Sequence, residues 1–289
     1  MRMETVPGDS EYVDTGEVRL HVRTAGPTDG PPVVLLHGFP EFWYGWHRQL
    51  EGLADAGHRV LIPDQRGYNL SDKPIGRDAY RVNRLASDVT GLLDATGHEE
   101  AAVVGHDWGA MVAWVLAQDH PDRVERLGIL NVPHPAAFGE TLRGNWEQVF
   151  RSWYAGFFQV PRLPEVAMRA RDYRLLERAL TGSARPGTFD ADDLRRYRTA
   201  WGRKASLTGM LNWYRANGIG SGLFDRDGRI EPETLVLWGT DDVALVEENA
   251  ERSVQFCDDG RLERFEGASH WVQHERAEAV TERLVAFLD

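Results

Sequence analysis

Cysteine and lysine are almost missing from this chain of 289 residues: Cys257 stands alone, and Lys73 and Lys204 are the only lysines among 33 basic residues. One cysteine excludes an internal disulfide and any multi-cysteine metal site, so the thiol reads as buried or inert. Arginine carries nearly all the positive charge on an acidic surface, a pattern that fits either a high-salt habitat or a GC-rich genome. Long apolar runs are lacking as well. Residues 1–10 hold no apolar core for a signal peptide, and no later segment approaches the roughly 18 apolar residues of a membrane span. Excess positive charge is also absent. A net charge of −12 argues against nucleic acid or an anionic membrane as a partner, because phosphate binding needs a basic patch. The expectation is a soluble cytoplasmic protein acting on small neutral molecules, with its oligomeric state left open, a homodimer included.

What is present suffices for a substantial core, since 42% of the residues are hydrophobic. Short apolar runs at 18–23, 33–36, 58–62, 101–105, 127–130, 234–238 and 262–265 read as strands. Helical patterns at 44–56, 83–96, 109–120, 247–257 and 276–288 fall between or after them. That alternation predicts an α/β fold with a mostly parallel sheet covered on both faces. Between Pro133 and about Asp225 the rhythm gives way to helix formers and aromatics, including Trp146, Phe150, Trp153 and Tyr154. An inserted helical cap at 133–225 is expected, dividing the core into 1–132 and 226–289. Residues 183–187, Ser-Ala-Arg-Pro-Gly, read as a loop inside the cap.

Chemistry concentrates just after strands, where open parallel sheets collect their active groups. Gly105-His106-Asp107-Trp108-Gly109-Ala110 follows one strand and opens a helix. A sharp strand-to-helix turn needs small neighbours two before and two and three after the residue it exposes, and here that residue is Asp107. A carboxylate so placed attacks an sp3 carbon bearing a leaving group and makes an alkyl ester that water must cleave. Epoxides or alkyl halides are the implied substrates. A helix cap is the plain alternative for Asp107, but capping does not explain small residues on both sides.

Three further places qualify. His37-Gly38-Phe39-Pro40 follows the strand at 33–36, and the Phe39 and Trp108 amides together would form an oxyanion hole. Gly239-Thr240-Asp241-Asp242 follows 234–238 and offers an acid to orient a histidine, with Asp241 and Asp242 chemically indistinguishable in sequence. Gly267-Ala268-Ser269-His270-Trp271 follows 262–265 and supplies His270 as the base. Nucleophile, acid and histidine occur in the order expected of such a hydrolase. His37, His106 and His134 lie near the same loops and read as supports for their geometry, while His274 reads as part of a helix start.

With these motifs, and with Asp64-Gln65-Arg66-Gly67-Tyr68-Asn69-Leu70-Ser71-Asp72-Lys73-Pro74, the chain resembles α/β-hydrolase-fold epoxide hydrolases over nearly its full length. The resemblance implies that fold, an aspartate nucleophile at Asp107, Asp242 rather than Asp241 as the acid, and a cis Phe39-Pro40 bond. It makes His37, Gly38 and Pro40 supports of the loop. It also implies two epoxide-activating tyrosines: Tyr154 in Trp153-Tyr154-Ala155-Gly156-Phe157-Phe158-Gln159, and Tyr214 in Leu211-Asn212-Trp213-Tyr214-Arg215.

Ring opening develops an alkoxide whose conjugate acid has a pKa of about 16, so a phenol near 10 passes it a proton downhill. The expected reaction is epoxide plus water to a vicinal diol, with no cofactor and no metal. The alternative is a haloalkane or haloacid dehalogenase using the same Asp107. Haloalkane dehalogenases often carry Asn where this chain has Phe39, and fluoroacetate dehalogenases usually carry Arg where it has Trp108. A non-catalytic ligand-binding protein is the reading from a different class.

Overall fold

The computed structural model describes residues 8–289; of the opening stretch read for a signal peptide, residues 1–7 lie outside the described residues. Eight strands form one sheet: β1 Asp9–Asp14, β2 Arg19–Ala25, β3 Pro32–Leu36, β4 Arg59–Pro63, β5 Ala101–His106, β6 Val124–Leu130, β7 Glu233–Gly239 and β8 Gly260–Phe265. Their order across the sheet is β1-β2-β4-β3-β5-β6-β7-β8. The first two pairings are antiparallel and the rest parallel.

Parallel strands buried on both faces need apolar side chains at successive positions, not alternate ones. β3 obeys this, because its period of two sends Val34 and Leu36 into one core layer and Val33 and Leu35 into the other. β5 divides likewise, with Val103 in the first layer and Ala102 and Val104 in the second. Helices α1 His47–Asp55, α2 Val82–Thr96, α3 Trp108–Asp119, α10 Glu248–Val254, α11 Val272–Glu275 and α12 Ala277–Leu288 accompany the strands. α3 is buried nearly all round, from Trp108 to Ala117.

Between β6 and β7 come the helices α4 Pro135–Gly144, α5 Trp146–Arg151, α6 Trp153–Phe158, α7 Leu163–Ser183, α8 Ala191–Trp201 and α9 Ser206–Ala216, a single turn at Leu223–Asp225, and an isolated β-bridge from Ile230 to Cys257. α8 starts with a full capping box made by Asp190 and Asp193. α7 is broken at Arg171, Asp172 and Tyr173, which hold positive φ. This helical segment is tied to the sheet side by polar contacts: Tyr44 Oη donates to Asp193 at 2.8 Å, and Trp201 Nε1 donates to the Pro40 carbonyl at 2.6 Å.

Two sequence expectations needed adjustment. The edge strand β1 was not anticipated, because its side chains are mostly exposed and its place is set by backbone pairing with β2. The helix expected at 44–56 begins as a tight 3-10 turn, Trp43–Trp46, before α1.

Candidate active site

Asp107 sits where β5 turns sharply into α3, with φ 50° and ψ −126°, a left-handed strain that a non-glycine residue adopts only when its surroundings impose it. The surroundings are tight. A Cβ on Gly105 would lie 2.5 Å from the Ala110 amide nitrogen, and one on Gly109 would lie 2.6 Å from the His37 carbonyl oxygen. Gly38 faces the nucleophile directly, its missing Cβ falling 2.5 Å from Asp107 Oδ1. Glycine at 38 thus lets the Phe39 amide approach, and that amide donates to Asp107 Oδ1 at 2.6 Å. Trp108 opens α3, so its amide belongs to the helix-end donors without an intrahelical partner and stands one peptide from Asp107.

The Phe39-Pro40 bond is cis. Behind it, buried His37 meets the Gly38 carbonyl through Nδ1 at 3.0 Å and accepts from the Gln65 amide through Nε2 at 3.1 Å. Accepting at Nε2 requires a neutral ring, and burial keeps the His37 pKa below its ordinary value. The loop after β4 has its own hub: Asp64 receives His21 Nδ1 at 2.7 Å, Asn69 Nδ2 at 2.9 Å and the Trp43 amide at 3.0 Å. Asp64 and its neighbours thus hold a loop.

On the other side of the nucleophile, His270 Nε2 lies 3.6 Å from Asp107 Oδ2, and its Nδ1 lies 2.7 Å from Asp242 Oδ2. Asp242 is buried and accepts also from Asn131 Nδ2 at 2.8 Å and from the Ala244 and Leu245 amides at 2.7 and 3.0 Å. Burial disfavours its charge, but His270, Asn131 and the Ala244 amide outweigh that and hold the pKa below the usual carboxylate value. For His270 burial opposes the imidazolium, yet the Asp242 charge, the hydrogen bond to Asp242 and the nearby Asp107 carboxylate prevail and raise its pKa to about 10. Asp241 instead has its amide bonded to the Ala268 carbonyl and its side chain exposed.

A cavity of about 740 Å³ opens over Asp107, within the usual range for small-molecule sites. Met111, Val132 and Leu245 give it apolar walls, and Tyr154 and Tyr214 line it together with Asp107 and Trp108. The two tyrosine rings are 6.1 Å apart at 80°. Burial first and the Asp107 charge second push both phenols above their ordinary pKa, so both are protonated at neutral pH. Phe39 and Trp108 pack edge-on against Tyr214, at 5.3 and 5.0 Å, fixing its ring over the elbow. Among the described residues no group of three or more His, Cys, Asp or Glu is arranged to hold a metal ion.

The alpha/beta hydrolase fold family matches residues 31–277 of this sequence. The chain is 43% identical to the AB hydrolase superfamily protein YfhM of Bacillus subtilis, over 96% of this chain and 97% of the relative. It is 37% identical to epoxide hydrolase 1 of Caenorhabditis elegans, over 97% of this chain and 70% of the relative. The chain belongs to the α/β-hydrolase-fold epoxide hydrolase family. A crystal structure of Bacillus megaterium epoxide hydrolase in complex with an inhibitor superposes on this family member with a TM-score of 0.89 at 28% identity, covering 96% of this chain and 99% of that one. No helix among the described residues is long and apolar enough to cross a membrane.

Sequence reasoning missed a second group of residues in this epoxide hydrolase family member. Glu41, fully buried behind the elbow, accepts from Tyr197 Oη at 2.5 Å and Gln273 Nε2 at 3.2 Å, and meets His274 Nε2 at 2.8 Å. Burial resists ionisation of Glu41, but His274 and His106 hold its pKa well below the carboxylate range. His106 in turn meets the His270 carbonyl at 2.8 Å. His106 and His274 are therefore joined to the backbone of His270, whereas His134 caps α4 and stacks on Phe256 at 4.2 Å. A carboxylate directly after His37-Gly38-Phe39-Pro40 was the available signal. Asn131 was missed too, although it follows β6 as the other site residues follow their strands.

Proposed function

We propose that this chain hydrolyses epoxides to vicinal diols through a hydroxyalkyl ester on Asp107, with residues 133–225 acting as the cap that closes the pocket. The observation that carries this reading is a carboxylate at the elbow, in one cavity with two protonated phenols. A halide leaves without needing a proton, whereas an epoxide oxygen needs one, so paired phenols favour the epoxide over the halide.

In the first half-reaction Asp107 attacks one oxirane carbon, the C–O bond breaks, and the ring oxygen takes a proton from Tyr154 or Tyr214. Alkylation also removes the Asp107 charge that keeps the phenols weak acids and His270 protonated. Both become better proton donors as the ester forms. The His270 imidazolium then returns a proton to the phenolate and is left neutral.

In the second half-reaction neutral His270, oriented by Asp242, takes a proton from water as that water attacks the Asp107 carbonyl carbon. The Phe39 and Trp108 amides hold the oxyanion. Collapse expels the alkoxide, which takes the second proton of the water from the new Asp107 carboxyl group to complete the diol, and His270 ends protonated beside a free carboxylate, the starting state. Each proton is accounted for by a named side chain, within one chain. A cytoplasmic location belongs to the same reading.

The test is a single turnover of styrene oxide by the His270→Ala variant, with mass analysis of the Asp107 peptide. An adduct of substrate mass on Asp107 is expected, as is heavy-oxygen label in the Asp107 carboxylate of the wild type after repeated turnovers in labelled water. Diol formation by a folded His270→Ala protein with no adduct and no label would overturn the scheme.

A further inference from the structure

The loop after β4, residues 64–74, takes no step in the reaction, yet the helix that carries Tyr214 rests on it. Gly209, Trp213 and Asn217 recur every four residues and so fall along one side of α9 and of the residue that ends it. At Gly209 the two backbones touch: a Cβ there would fall 2.6 Å from the Gly67 carbonyl oxygen and 2.7 Å from the Gly67 Cα. One turn on, Trp213 Nε1 donates to the Arg66 carbonyl at 3.0 Å, and its ring meets the Tyr68 ring edge-on at 5.5 Å. Asn217 completes the row, accepting from the Val82 amide at 2.8 Å and donating to the Tyr80 carbonyl at 2.8 Å.

The interior of a helix is a poor place for glycine, which loses backbone entropy that alanine does not. Gly209 is nevertheless buried within an 11-residue helix, because no side chain fits between α9 and the loop. The same loop also meets the oxyanion side. Tyr68 packs edge-on against His37 at 4.7 Å, and Gln65 Nε2 donates to the His37 carbonyl at 2.5 Å while the Gln65 amide bonds the His37 ring. Residues 65–68 therefore join the loop that presents the Phe39 amide to the helix that presents a phenol.

We infer that Gly209 and Trp213 are positioning residues for the Tyr214 phenol: the depth to which α9 seats on residues 66–68 sets how far that phenol stands from the oxirane oxygen. The inference rests on the epoxide reading and adds the residues that place one of its two proton donors. Neither Gly209 nor Trp213 lines the cavity, so both act through Tyr214. A methyl at 209 lifts the helix from Gly67, and Tyr214, five residues along, moves with it. Asp107, Asp242 and His270 are carried on loops after β5, β7 and β8 and keep their places. The effect belongs to ester formation and not to ester hydrolysis.

The experiment measures the two half-reactions separately, by single turnover of styrene oxide, in Gly209→Ala and in Trp213→Phe, each alone and combined with Tyr214→Phe. Trp213→Phe keeps an aromatic ring and removes the bond to Arg66, so it tests the seat should Gly209→Ala fail to fold. Each single variant is expected to slow ester formation by about tenfold, as a misplaced general acid does, with ester hydrolysis within about twofold of wild type. In the Tyr214→Phe background the same substitutions should change ester formation by less than about twofold, because the phenol they displace is gone. Slowing that persists in full without that phenol, equal slowing of both half-reactions, or wild-type rates in both single variants would overturn the inference while leaving the epoxide reading intact. If the wild type forms no ester on Asp107, the epoxide reading itself falls and takes this positioning role with it.

Discussion

Asn131 donates its side-chain amide to Asp242 Oδ2 at 2.8 Å, to the same oxygen that meets His270 Nδ1. Its Oδ1 accepts from the Gly239 amide at 2.9 Å, so one side chain joins the ends of β6 and β7 and aims the acid. Asn131→Ala is expected to leave the buried Gly239 amide unpaired at about 1–3 kcal/mol of stability. It should also loosen Asp242, so that ester hydrolysis slows more than ester formation. Urea unfolding measures the first effect and single-turnover kinetics the second; a variant that slows both half-reactions equally would mean Asn131 acts on the fold alone.

His270 should report the charge state of Asp107. Its folded pKa of about 10 stands above the ordinary histidine value of about 6.5, so the ion-paired ring contributes stability fully below pH 6.5 or so, and this is lost as pH rises through about 10. Asp107→Asn removes one of the causes that raise it, and the titration should move down toward neutrality. Nitrogen-detected histidine NMR across pH 5 to about 11 in both proteins follows this directly. An unchanged His270 titration in Asp107→Asn would disconnect the two groups, and ester formation would then not make His270 a better proton donor.

Much of this arrangement was legible in sequence because the elbow imposes steric demands that only particular residues meet. Gly105, Gly109 and Gly38 announce a backbone pressed against its neighbours, and those close approaches are present in the fold. The buried strands were legible for a related reason: a parallel strand covered on both faces must be apolar throughout, as Val33, Val34, Leu35 and Leu36 are. What was not legible depends on contacts distant in sequence. Glu41 bonds to Tyr197 and Gln273, separated from it by 156 and 232 positions, and no local pattern marks such partners. β1 was missed for the opposite reason, since backbone pairing with β2 needs no apolar stripe.

The two phenols should be partly redundant. Tyr154→Phe and Tyr214→Phe are each expected to slow ester formation by about 10- to 100-fold, and the double variant by about 1000-fold or more, the span of general acid catalysis. Tyr214→Phe should also change the tryptophan fluorescence signal on substrate binding, because the Trp108 ring is 5.0 Å from Tyr214. A double variant with near wild-type rates on a styrene oxide-like substrate would remove the phenols from the mechanism.

Gly38→Ala tests the closeness of the oxyanion loop. The added methyl would fall 2.5 Å from Asp107 Oδ1, so the carboxylate must move. A misplacement of about 1 Å in a reacting group costs on the order of 100-fold in rate, and that loss in kcat/KM is expected with the circular dichroism spectrum unchanged. Retention of full activity would mean that the Phe39 amide does not set the position of the nucleophile.

Gln148 connects the helical insert to the acid loop through three hydrogen bonds. Fully buried on α5, it donates to the Ala244 carbonyl at 2.9 Å and accepts from the Val246 amide at 3.0 Å and Asn249 Nδ2 at 2.9 Å. Three residues on, Arg151 donates to the Asp242 carbonyl at 2.5 Å. Tyr154 follows directly on α6, so the helix that leads to one phenol also braces the loop that carries the acid. Gln148→Leu keeps the bulk but leaves buried donors and an acceptor unpaired, each at about 1–3 kcal/mol, and a lower unfolding midpoint follows. If α5 sets acid and phenol together, ester formation and ester hydrolysis should both slow in this variant at a temperature where it is fully folded. Slowing of ester hydrolysis alone would show that the acid loop moves independently of Tyr154, and the insert would then be a cover and not a part of the catalytic frame.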